Sequence, residues 1–114
     1  MKQVSFEGIG NVTATFAAGE GVRGGQVVKL TENGTVGPCQ AGDAFCGVAL
    51  EPRRGGCGVQ VKGFVSVSCT GTLALSWASL SADGKGGVQA ADSAAAGVSA
   101  LVVCAEEGSA VLCL

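Results

Sequence analysis

The chain has 114 residues, 47% of them apolar, with 20 glycines, nine acidic against seven basic side chains, and no histidine or tyrosine. A formal charge of −2 excludes the general basic face that nucleic acid demands, and the high apolar content excludes a disordered chain. The length suits a single domain, residues 1–114, built around one core.

Met1 to Gly8 has no apolar stretch of the secretory kind, so residues 1–11 read as an N-terminal arm and the chain as made in a cytoplasm. No apolar run approaches the ~20 residues of a spanning helix, so no membrane partner is expected. Val12, Ala14 and Phe16 alternate with Thr13 and Thr15, which predicts a first strand. A loop follows over Ala17–Gly25, then a strand over Gln26–Leu30. Asn33-Gly34 predicts a hairpin, because both residues tolerate the positive φ of a type I′ turn.

Phe45 to Glu51 is a nearly continuous apolar run, the pattern of a strand buried on both faces. Pro52 to Gly56 turns the chain into its most informative stretch, Cys57 to Cys69. The odd positions there are Cys, Val, Val, Gly, Val, Val, Cys, and only Phe64 breaks an apolar–polar alternation. This predicts one long half-buried strand, antiparallel to the preceding run. Thirteen residues at ~3.3 Å span about 43 Å, long for a strand, so Gly63 at the centre is expected to mark a bend or bulge. The valines alone cannot offset the entropy of ordering so many backbones. The strand therefore has to be paired on its edges and covered on its valine face.

Leu73 to Leu80, centred on Trp77, is a strand or a short helical turn. Core packing is the expected role of Trp77, with an interface anchor as the alternative. Ser81 to Gly87 is a turn and Val88–Ala90 a short strand. Ala91 to Gly97 is Ala-rich and reads as a helical turn too short to stand alone. Ala100–Cys104 and Ala110–Leu114 form a closing hairpin around Glu106-Glu107-Gly108-Ser109. Short strands punctuated by glycine and no long amphipathic helix predict an all-β fold, a small antiparallel barrel or sandwich with Gly-rich turns.

The chain offers little chemistry. Without histidine, neither a Ser-His-Asp nor a Cys-His arrangement can be built. The six cysteines contain no Cys-x-x-Cys pair, so no metal site of the usual spacing is expected. Several fall inside apolar strand patterns and read as small hydrophobes. Cys39, beside Pro38, is the expected exposed thiol. A nucleophilic Cys57 near Arg53 and Arg54 is the enzymatic alternative, weakened by its place on a buried-looking face. Asp43, Asp83 and Asp92 sit in turn-like contexts, where aspartate bonds nearby backbone. No catalytic or cofactor-binding residue is assigned. The residues left as partner contacts are Arg53 and Arg54, the doubled basic site, and Gln60, Lys62 and Phe64 on the even face of the long strand.

Taken in order, Thr13-Ala14-Thr15-Phe16, Gly25-Gln26-Val27-Val28-Lys29-Leu30, Asn33-Gly34-Thr35-Val36 and Gly42-Asp43-Ala44-Phe45-Cys46-Gly47-Val48-Ala49 form a pattern. It continues with Val59-Gln60-Val61-Lys62-Gly63-Phe64-Val65 and Leu80 to Val88. The pattern resembles small proteins encoded beside major capsid genes in tailed phages and prophages, related to capsid cement or head decoration proteins. The resemblance covers roughly Val12 to Leu114 and rests on structural signatures without chemistry. It implies a non-enzymatic β protein that oligomerises, with a trimer favoured, binds the major capsid protein and sits on the virion's capsid surface. The cysteine load departs from that pattern. A small β-barrel module that recognises a peptide or carbohydrate is the alternative.

Overall fold

The computed structural model describes residues 11–54, 56–92 and 97–114. All regular structure there is β, in ten strands. Five close a barrel in the order β1-β3-β2-β4-β5: β1 (Val12–Ala18), β2 (Val27–Glu32), β3 (Thr35–Pro38), β4 (Gly47–Ala49) and β5 (Cys57–Lys62). The other five form a second sheet in the order β6-β10-β9-β7-β8: β6 (Phe64–Ser68), β7 (Ser76–Ala82), β8 (Val88–Ala90), β9 (Val98–Glu106) and β10 (Ser109–Cys113). A parallel bridge between Cys69 and Val88 nearly closes this sheet too. The all-β expectation is met. The N-terminal arm expected over 1–11 lies, except for Asn11, outside the described residues, as does most of the Ala-rich stretch.

The predicted long strand is two strands in line. Gly63, at φ 99°, bends the chain between β5 and β6, a backbone that L side chains enter only under strain. The alternation survives the bend. Cys57 and Val59 are buried in the barrel core, Val67 and Cys69 in the second core. The bend thus serves two sheets.

Two strands of the barrel wall are shared between the cores. Val28 on β2 and Ala49 on β4 point into the barrel, while their neighbours Val27 and Val48 point into the second core with Phe45, Leu80, Val102 and Leu112. A wall apolar on both faces is what the run from Phe45 onward encodes. That run yields strand only over Gly47–Ala49, paired antiparallel to β5 as expected, and Leu50 turns out to solvent. Backbone hydrogen bonds join the two halves across this partition: Val27 N–H donates to Gly86 O, Gly42 N–H to Ala82 O and Ala82 N–H to Asp43 O, each at 2.9 Å.

The β2–β3 hairpin turns at Asn33-Gly34 as predicted, but only Gly34 takes a positive φ (68°). The turn is therefore not type I′, and a bulge between Leu30 and Glu32 absorbs the mismatch. The closing hairpin pairs β9 with β10, with a bulge at Val103.

Candidate interaction surface

Adjacent strands place their paired residues on one face. In the second sheet Trp77 pairs with Leu101, Leu101 with Cys113, and Cys113 with Phe64. The inner face is taken by Ala78, Leu80, Ala100, Val102 and Leu112, so this row points outward. Beside it on the same face stand Val111 and its partner Cys104. The result is an apolar strip across four strands with no charged member.

Trp77 is 70% exposed and Leu75 64%, so the expected core role of Trp77 does not hold. Its strand buries alternate residues, and Trp77 falls on the alternate that the core does not use. Between Leu75 and Trp77, Ser76 has φ 78°, the one non-glycine residue with positive φ among the described residues. Such backbone strain persists only where its surroundings impose it, and it recurs at functional surfaces.

The five residues expected to meet a partner do not form one face. Gln60 is 8% exposed, because the barrel wall it sits on faces the second sheet. Its side-chain amide N–H group faces three acceptors: Asn11 Oδ1 at 3.2 Å, Lys62 O at 3.2 Å and Phe64 O at 2.9 Å. Gln60 therefore ties the joint and has no donor left for a partner. Lys62 is exposed just before the bend, and Phe64 is half-buried at the end of the apolar row.

Arg53 and Arg54 lie at the opposite end of the barrel, exposed on a tight turn closed by mutual Arg53–Gly56 backbone hydrogen bonds of 2.9 and 3.0 Å. A hollow of about 410 Å³ opens on one side, lined by Thr15, Leu50, Arg53 and Arg54. Another of about 400 Å³ opens on the other, lined by Ala18, Val22, Pro52 and Arg53. Gly56 keeps the turn tight against β1, since a Cβ there would come within 2.7 Å of Thr15 Cγ2. The nearby carboxylate of Glu51 accepts from Gly24 N–H at 3.0 Å. Neither arginine has an ion-pair partner among the described residues.

The single ion pair there is Lys29–Asp43, 2.6 Å between Nζ and Oδ2. Sequence reading missed it, because fourteen residues separate the partners and only the barrel brings them together. The Lys29 hydrogen bond holds the Asp43 carboxyl below its usual range, aided by Gln40 N–H, and Asp43 in turn raises Lys29. The turn roles of Asp43 and Asp83 are as expected: Asp43 accepts from Gln40 N–H, and Asp83 from Lys85 and Gly87 N–H.

The thiols also need a correction. Cys39 is half-buried and burial pushes it up to about 11; the exposed thiol is Cys104. Packing of Cys39 against the second core, invisible from its place beside Pro38, is the reason. Burial likewise raises Cys46 and Cys57, and the Cys57 thiol donates to Leu50 O at 3.3 Å. A thiol held in its protonated form is a poor nucleophile. No three metal-ligating side chains gather among the described residues. No family model matches the chain, and no curated protein matches it.

Proposed function

We propose that this protein is a non-enzymatic structural subunit of a phage or prophage virion, a decoration protein that cements the capsid shell. The observation that carries the reading is the outward apolar strip of the second sheet, with Trp77 at its end. Isolated exposed hydrophobes are ordinary, but a contiguous uncharged strip across four strands is the mark of a surface meant to be covered. Tryptophan is the residue most enriched at the energetic centres of such contacts. The sequence resemblance supplies the partner, the major capsid protein, and the homo-oligomer. The capsid surface is then the site of action, after synthesis in the host cytoplasm.

The test is co-sedimentation of the chain with shells assembled from the major capsid protein encoded next to its gene. Stoichiometric binding is expected, weakened about tenfold or more by Trp77→Ala, the loss typical of a large aromatic anchor. Absence of binding to those shells, or a neighbouring gene of another kind, contradicts the reading. The alternative, a binding module for a peptide or carbohydrate, would use the hollows beside Arg53. Their lining residues include no aromatic ring on which a sugar could stack.

A further inference from the structure

The chain contains one doubled basic site, Arg53-Arg54, and one doubled acidic site, Glu106-Glu107. The fold puts each on the tip of a hairpin, one at the end of the barrel and the other at the end of the β9–β10 hairpin of the second sheet. All four side chains are exposed, and none has an ion-pair partner among the described residues. Like the charges, the surroundings match. The arginine tip stands between two open hollows with Leu50, 52% exposed, beside it. The acidic tip is narrow, turning through Glu107-Gly108 with Gly108 at φ 83°. Cys104 and Val111 flank it around a shallow depression of about 90 Å³.

We infer that the arginine tip of one copy receives the acidic tip of a second copy. The glutamates of the incoming hairpin meet the guanidiniums, whose forked donors match carboxylates, while Leu50 packs against the apolar flank of the acidic tip. The two tips are different surfaces, so the contact is head-to-tail. Repetition closes a ring when the rotation returns on itself, and a trimer is one such closure. The inference rests on reading the chain as an assembling subunit; it takes Cys104 and Val111 at the hairpin edge of the apolar strip and leaves the row from Trp77 to Phe64 to another surface.

The experiment is sedimentation of the full chain at about 0.1 M and about 1 M salt, where the Debye length falls from about 10 to about 3 Å. The wild type should self-associate, and high salt should weaken it. Arg53→Glu with Arg54→Glu should weaken association about tenfold at low salt, as the loss of several exposed pairs implies. Glu106→Arg with Glu107→Arg should do the same. The fourfold exchange should restore it. An equimolar mixture of the two double variants, which carry opposite charges on every tip, should restore it fully in an open chain or an even-membered ring, and in part in a trimer, where one of three junctions stays like-charged. A monomeric wild type, association indifferent to both double variants, or no restoration in either form overturns the inference. A chain that coats shells while its self-association ignores these exchanges removes the head-to-tail contact and leaves the shell-binding role standing.

Discussion

The contact between Asp43 and Lys29 makes the stability of this fold depend on pH at both ends of the scale. The Asp43 carboxyl is lowered by Lys29, so its contribution to stability is present above the ordinary aspartate value of about 3.9 and is lost as pH falls through the lower folded value. Lys29 is raised by the same bond. Its contribution is present below the ordinary lysine value of about 10.4 and lost as pH rises through the folded one. Asp43→Asn should therefore flatten both limbs of stability against pH, read as urea midpoints from acid to alkaline pH. Equal slopes in variant and wild type would show that the pair does not couple to folding. At this scale the sequence was half legible. Turn-forming Asp43 and Asp83 could be read from their neighbours. The partner of Lys29, the exposure of Trp77 and the burial of Cys39 could not, because each depends on which distant strand arrives beside it.

Among the elements, the joint between β5 and β6 was the most legible. Its alternation, its length and a central glycine together required a bend, and the bend is there. What the pattern could not carry was membership. An alternating strand says which face is buried, not against which sheet, and here the burying partner changes at Gly63. The run from Phe45 shows the same limit: its double-sided burial could be read, while the existence of two cores on either side of it could not. Gly63→Ala keeps the polarity pattern and forces a side chain into a positive-φ backbone. It should destabilise the chain by about 1–3 kcal/mol, measured by urea unfolding. An unchanged midpoint would mean that the bend is free to relax into an ordinary strand geometry.

Across the whole molecule, the barrel and the second sheet share a wall, and the surfaces left over point outward at its extremes. The apolar strip lies on the far side of the second sheet, the arginine tip at one end of the barrel. Trp77, the sole tryptophan, reports on the strip directly. Its emission should be that of an exposed indole in the dissociated chain and should shift to shorter wavelength when shells are added. An emission unchanged by binding would place the shell contact elsewhere on the molecule. Neither surface could be located from the sequence, since the strip is assembled from four strands and the arginine tip takes its surroundings from β1 and the loop before β5.

The Gln60 amide has a consequence for how this molecule comes apart. It gathers Asn11 at the entry to β1, Lys62 at the end of the barrel and Phe64 at the start of the second sheet. An amide and backbone carbonyls neither gain nor lose a proton across the range that titrates Lys29 and Asp43. Acid should thus release the Lys29–Asp43 clasp between β2 and the loop after β3 first, while the knot between the two sheets holds. The order of failure in acid is written into the difference between a charged clasp and a neutral knot.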